Sequence, residues 1–225
     1  MYDWTYILVL IGIALCALAS MNVSMTFKRY SSVYNYRGET ADEVARRILN
    51  GAGIYDVRIE RIGGDLTDHY SPKEKVLRLS DTVYGSHSVA AIGVAAHECG
   101  HAIQHQCGYA PLTIRSAVIP AANIGANLSY PIILAGLFFS LPNLVEIGAI
   151  LFGLVVVAQL VTLPVEFNAS TRAMKILRTS NILDGGELSA AGKVLTAAAL
   201  TYVAALISSA LQLLRLLILA NRRRD

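Results

Sequence analysis

The stretch TYILVLIGIALCALASMNVSMTF, residues 5–27, contains no charged side chain. A helix of about 20 apolar residues crosses the hydrocarbon core of a bilayer, so this stretch is long enough to span it. Charge is also absent from residues 194–214, and residues 116–165 carry only Glu146. Charged residues make up 16% of the chain, against about 25% in ordinary soluble domains. The sequence therefore predicts a mainly α membrane protein with about four transmembrane helices.

The first apolar stretch has an alternative interpretation as a cleaved signal peptide. Ala17-Leu18-Ala19 resembles a small-residue cleavage site. The residues before the stretch, however, include Asp3 and neither Lys nor Arg, and Lys28-Arg29 follow it as they would follow a stop-transfer segment. We therefore predict a membrane anchor.

The distribution of charge also predicts the domain organisation. We expect a transmembrane helix at 5–27, a catalytic domain at 28–115 and two transmembrane helices at 117–165. A helix and loop at 166–193 then lead to a fourth apolar helix at 194–220, which is the most polar of the four and spans the membrane only in part if it packs on the catalytic domain.

The polar region 28–115 has the pattern of a small α+β domain. Thr40-Ala41-Asp42-Glu43 is a capping box that begins a helix. Residues 57–62 and Lys75–Ser80 have strand patterns, so we expect a small β-sheet, with Lys75–Ser80 presenting an edge to extended substrate. An Ala-rich helix runs from about Ser86 to Gln106.

That helix carries His97-Glu98-Cys99-Gly100-His101, an H-E-x-x-H motif. Residues four apart lie on the same face of a helix, so both imidazoles can reach one zinc ion. Glu98 lies beside the metal without being a ligand, where it can accept a proton from the attacking water and pass it to the leaving amine. Chance matches to this motif occur in helices. In an apolar helix, however, two His and a Glu would be costly unless they formed a site.

The third ligand is not fixed by the motif. A metzincin would have His at position 107 and Gly at position 104, but Cys107 and Gln104 stand there, which excludes that class. His105 is one turn too far for a straight helix to bring it to the same ion, and Cys99 points away from His97. Glu166 follows directly after an apolar segment, and position alone makes it one candidate.

Three segments together resemble a known family. The motif with Ala102-Ile103-Gln104, the segment Asp68-His69-Tyr70-Ser71-Pro72 and the segment 163–170, LPVEFNAS, are similar to the YugP-like family of bacterial membrane zinc metallopeptidases. More distantly, the layout resembles the HtpX-like and CAAX prenyl endopeptidases, which are gluzincins with Glu as the third ligand.

The resemblance implies a zincin-like catalytic domain with one Zn²⁺ per chain, held by His97, His101 and Glu166. In the distant relatives an Asp follows the ligand Glu by four residues and hydrogen-bonds a ligand histidine. Ser170 occupies that position here, so the corresponding hydrogen bond is left open.

Two further groups are candidates for the site. His69 and Tyr70 would supply an oxyanion donor or orient a ligand histidine, or they form a solvated turn ending at Pro72. Arg172 would stabilise a tetrahedral intermediate, pair with an acid or form a positive flank at the membrane surface.

These features favour a zinc endopeptidase acting on a peptide or membrane-protein substrate. The first alternative is a non-catalytic membrane scaffold with a zinc site, but a structural site does not need Glu98. The second is a metal transporter, which would place ionisable residues in several membrane segments, whereas only Glu146 and Arg215 qualify. No basic patch with interleaved aromatics is present, so nucleic-acid binding is not expected.

The positive-inside rule predicts a multi-pass protein with its catalytic site on the cytoplasmic face. Positive residues flank the apolar segments on the side of both polar regions: Lys28, Arg29, Arg37, Arg115, Arg172, Lys175, Arg178 and Lys193. Four full crossings would leave Arg222-Arg223-Arg224 outside, against the same rule. Either the last segment does not fully cross or these arginines are tolerated outside.

Overall fold

A computed structural model describes residues 4–221. The chain is mainly helical in this range, with a small three-stranded sheet. Its elements in chain order are α1 (Tyr6–Tyr30), α2 (Ala41–Gly51), β1 (Arg58–Ile62), β2 (His69–Ser71), β3 (Val76–Ser80), α3 (Val89–Gln106), α4 (Ala110–Phe138), α5 (Pro142–Thr179) and α6 (Gly185–Asn221). Arg222-Arg223-Arg224 and Asp3, which enter the predictions of orientation and anchoring, lie outside the described residues.

Within residues 4–221, four helices, α1, α4, α5 and α6, are long and apolar enough to cross a membrane. This agrees with the expected number of membrane segments. Partial spanning by the last segment stays a prediction. Each of the four helices also extends beyond its uncharged run into charged residues, as α1 does at Lys28 and Arg29.

The structure divides into two compact units, of which the first comprises the described parts of 1–20, 110–164 and 200–225. Small residues allow α4 and α5 to approach closely in this unit. A Cβ on Gly125 would lie 2.7 Å from the carbonyl oxygen of Leu151, and the Ser129 hydroxyl donates to the Gly148 carbonyl at 2.8 Å. Such small-residue packing is typical of membrane helices.

The second unit comprises residues 21–109 and 165–199. Its core is formed by α2, α3, the central strand of the sheet and the parts of α5 and α6 that belong to this unit. The predicted capping box is confirmed, since the Thr40 side chain accepts from the Glu43 backbone N–H and the Glu43 side chain accepts from the Thr40 N–H. Ser88 caps α3 by accepting from the Ala91 N–H. These caps fix where the two packed helices begin.

The strand order corrects one expectation. The sheet has the order β1-β3-β2, with β1 parallel and β2 antiparallel to β3. The strand within Lys75–Ser80 is therefore central and presents no edge. Its residues are almost all buried, whereas those of β1 and β2 are half-buried or exposed, and a strand buried on both faces belongs inside a sheet. The edges are β1 and β2.

The boundaries of two helices also differ from the expectation. The helix that carries Glu166 does not begin there, because α5 continues through Pro164. Proline removes one backbone N–H, and membrane helices tolerate this when neighbouring groups compensate. Helix α6 begins at Gly185, where the sequence predicted a loop. Asp184 and Glu187 exchange side-chain to backbone hydrogen bonds at 2.9 Å and so cap α6 at its start.

Candidate metal centre

The two histidines of the motif lie side by side on α3. Their ring centroids are 4.7 Å apart and the rings are nearly perpendicular, at 87°. Glu166 on α5 meets both: its Oε2 lies 3.3 Å from His97 Nε2 and 3.5 Å from His101 Nε2. All three potential ligand atoms lie within 4.8 Å of one another. The three residues that were predicted as ligands are thus brought together by two helices.

The spacing of these atoms suits zinc. Tetrahedral zinc with nitrogen and oxygen ligands at about 2.0–2.2 Å has neighbouring ligand atoms about 3.3 Å apart. The two nitrogen-to-oxygen distances, 3.3 and 3.5 Å, match that edge length. Two imidazole nitrogens and one carboxylate oxygen are also a known donor set for catalytic zinc, which leaves one position for water. The residues present therefore fit the ion.

The helices can approach this closely because the motif contains Gly100. A Cβ at Gly100 would lie 2.7 Å from the carbonyl oxygen of Ala169 and 3.2 Å from its Cα. Ala169, fully buried, is itself small and stands one turn after Glu166. The backbone of α5 therefore packs against α3 at Gly100, which lies between the two histidines in sequence. This contact brings the Glu166 carboxylate close to both imidazole rings.

Each histidine has a hydrogen-bond partner at its other ring nitrogen. His97 Nδ1 lies 3.0 Å from Ser170 Oγ, and His101 Nδ1 lies 3.0 Å from Gln104 Oε1. The hydrogen bond left open by the replacement of Asp is thus made by the Ser170 hydroxyl. Such partners hold each imidazole ring so that its Nε2 faces the position of the metal. Gln104 was not among the predicted site residues, although its position three residues after His101 puts it on the same face of α3.

The carboxylates near the centre give it a negative electrostatic potential. Glu98 is 8% exposed and Glu166 is 2% exposed. Burial of His101 opposes its protonation, but the hydrogen bond with Glu166 and the negative charge of Glu98 outweigh burial and raise the pKa of His101. Burial, together with the Glu98 charge, raises the pKa of Asp68, despite the hydrogen bonds it accepts from the Ser80 N–H and hydroxyl. An environment of this charge favours a bound cation.

Tyr70 and His105 form a pair next to the centre. The Tyr70 hydroxyl lies 2.9 Å from His105 Nδ1, one turn beyond His101 on α3. Tyr70 pairs with buried Leu77 and packs on the core, whereas the adjacent His69 points to the other face of β2, with Nδ1 2.9 Å from the Thr67 carbonyl oxygen. Of the two predicted residues, Tyr70 is the one that faces α3.

The other candidates have structural partners. Arg172 Nε donates to Asn168 Oδ1 at 2.7 Å, and its guanidinium lies 5.8 Å from the centre of the Tyr109 ring. Cys99 is fully buried, with Sγ 3.6 Å from the Ala45 carbonyl oxygen, and burial raises the pKa of its thiol. Cys99 is therefore a core residue, as its position on the helix suggested.

Comparison with known proteins agrees with this arrangement. The family described as "Putative neutral zinc metallopeptidase" matches residues 5–221. The chain is 43% identical over 218 residues to a protein of Bacillus subtilis (strain 168) named "Putative membrane protease YugP", and the match covers 97% of each chain. No solved structure matches the chain. The family resemblance inferred from the sequence is confirmed.

Proposed function

The chain belongs to this family of zinc metallopeptidases, and we propose that it is a membrane-embedded endopeptidase with Glu98 as the general base. The observation that carries the proposal is the spacing of His97, His101 and Glu166, which fits zinc, with the Glu98 carboxylate on the same helix. A site built only to hold a metal has no need of that carboxylate.

His97, His101 and Glu166 would hold one Zn²⁺ per chain. When bound there, zinc supplies a Lewis acid that polarises the scissile carbonyl and makes water more acidic. Glu98 accepts a proton from the attacking water and then donates it to the leaving amine, so a single carboxyl serves both steps. Its low exposure, 8%, keeps competing bulk water away from that proton.

We assign supporting roles to the neighbouring residues. The Tyr70 hydroxyl, held by His105 at 2.9 Å, is a candidate donor to the oxyanion of the tetrahedral intermediate. Arg172 is engaged by Asn168, which favours a positioning role over direct contact with substrate. His69 faces away from α3 and stabilises the turn before β2 through the Thr67 carbonyl.

We propose that the second unit, residues 21–109 and 165–199, has a zincin-like fold in which α3 lies beneath the small sheet. The edge strand β2 contacts α3, and an extended peptide could pair with its free edge. We place the catalytic site on the cytoplasmic face of the membrane, where it would act on peptides or membrane proteins.

Purified wild-type protein and the Glu98→Gln variant test the proposal directly. Zinc content and hydrolysis of casein are measured for both, with Glu60→Gln, a change at a half-buried position of strand β1, as the control. Glu98→Gln should retain about one zinc, because Glu98 is not a ligand, and lose hydrolysis by several orders of magnitude. Full hydrolysis by Glu98→Gln would refute the mechanism, and zinc binding without any hydrolysis by wild type would favour the non-catalytic scaffold.

A further inference from the structure

Gln104 is a buried polar residue whose side chain connects the two helices of the metal centre. It is 0% exposed. Its Oε1 lies 3.0 Å from His101 Nδ1, and its Nε2 lies 2.8 Å from the Val165 carbonyl oxygen and 3.0 Å from Asn168 Oδ1. A buried amide that lacked partners would be costly, so contacts on both sides stabilise one arrangement.

These partners fix the orientation of the amide. The Val165 carbonyl can only accept a hydrogen bond, so the amide NH₂ must face it and the oxygen must face His101. Arg172 reinforces this arrangement by donating to the same Asn168 oxygen at 2.7 Å. Asn168 Oδ1 thus accepts from two donors. A flip of the Asn168 amide would put its NH₂ group in that place and would break both hydrogen bonds.

The orientation of Gln104 in turn sets the tautomer of His101. An amide oxygen can only accept a hydrogen bond, so His101 Nδ1 must carry the hydrogen. The other ring nitrogen, Nε2, then presents a lone pair toward the position of the metal. His97 differs, because the Ser170 hydroxyl can both donate and accept. The tautomer of one ligand is therefore dictated by its partner, and that of the other is not.

We propose that Gln104 is a positioning residue that holds His101 in its metal-binding tautomer and fixes the α5 turn carrying Glu166. The second part follows from Val165, which precedes Glu166 and whose carbonyl accepts from Gln104. The inference rests on the proposed zinc site. One side chain thus couples a ligand on α3 to the ligand on α5.

Zinc retention in Gln104→Met tests the proposal. Methionine has a similar length and good helix propensity but offers none of the three hydrogen bonds. The control is Gln106→Met, the same change on the same helix at an exposed position. The rate at which a chelator removes zinc and the visible spectrum of the Co²⁺-substituted protein are measured in detergent. We expect zinc release to be roughly 10- to 100-fold faster in Gln104→Met, with an altered Co²⁺ spectrum, and to be unchanged in the control.

Two further variants separate positioning from a general loss of packing. With its carboxyl ionised, Gln104→Glu keeps an acceptor for His101 but offers no donor to α5, so at a pH where the carboxyl is ionised it should recover part of the zinc retention. Asn168→Ala leaves the Val165 anchor in place, so its release should be roughly fivefold faster than wild type. If Gln104→Met does not fold, these two variants decide the question.

Wild-type release rates in Gln104→Glu and Asn168→Ala would overturn the inference, as would an unchanged rate and Co²⁺ spectrum in Gln104→Met. Such results in a protein that binds zinc and hydrolyses peptides would leave the proposed function intact. Failure of the wild-type protein to bind zinc would instead refute the proposed function, and this inference with it.

Discussion

Replacement of Gly100 by alanine should push α3, which carries His97 and His101, away from α5, which carries Glu166. The added Cβ would lie 2.7 Å from the Ala169 carbonyl oxygen, whereas ordinary contacts begin at 3.4 Å. The shortfall is about 0.7 Å. Because the atoms it meets belong to the backbone of α5, a side-chain rotation cannot relieve the contact, and the helix itself must move.

The required movement is large compared with what a zinc site tolerates. Metal–ligand distances are held within about 0.2 Å, and even a shift of roughly 0.5 Å, which is most of the shortfall, exceeds that tolerance. Overpacking of this kind costs about 1–3 kcal/mol, partly offset by about 0.5–1 kcal/mol because alanine favours the helix over glycine. We therefore expect zinc affinity to fall at least about tenfold, and the metal-free protein to lose about 0–2.5 kcal/mol of stability.

Chelator competition for zinc and the thermal midpoint of the metal-free protein measure the two effects. Gly51→Ala is the matched control, because a Cβ there meets nothing within 4 Å. A folded Gly100→Ala protein with wild-type zinc affinity would refute the reasoning that the contact between Gly100 and Ala169 sets the ligand geometry.

Three other predictions concern the ligand, a buried acid and the orientation. Glu166→Ala should lose most bound zinc, and full zinc occupancy would exclude Glu166 as a ligand. Burial raises the pKa of Asp68 above its ordinary 3.8, so the folded protein binds that proton more tightly than the unfolded chain and loses stability as pH rises from 3.8 through the raised value. Asp68→Asn should remove this loss, and parallel curves of thermal midpoint against pH for the two proteins would contradict it. In a background without the three cysteines, Lys73→Cys at an exposed position should react with an impermeant thiol reagent only after cells are opened, and labelling of intact cells would place the site outside.

Local patterns in the sequence predicted much of the fold. Uncharged runs predicted the four long helices, because crossing a bilayer requires a minimum apolar length. The Thr40 capping box and the motif helix are also local, since their partners lie within four residues. Glu166 was a weaker inference from position, because its contact with His97 spans 69 residues of chain and depends on helix packing.

Contacts between distant segments could not be predicted in the same way. The central place of β3 depends on which strands pair, and the pattern of Lys75–Ser80 alone does not contain that information. The start of α6 lies within the loop that was predicted in 166–193. Two consecutive glycines, Gly185 and Gly186, favour a loop, but capping residues stand on either side of them. The role of Gln104 likewise became visible only when α5 was placed against α3.

X-ray absorption at the zinc edge of the purified wild-type protein shows directly which atoms bind the metal. We expect one zinc per chain with nitrogen and oxygen ligands at about 2.0–2.2 Å, and outer-ring scattering from two imidazoles. Scattering from sulfur at about 2.3 Å would mean that a cysteine binds the metal. That result, or a purified protein without zinc, would contradict a centre built from His97, His101 and Glu166.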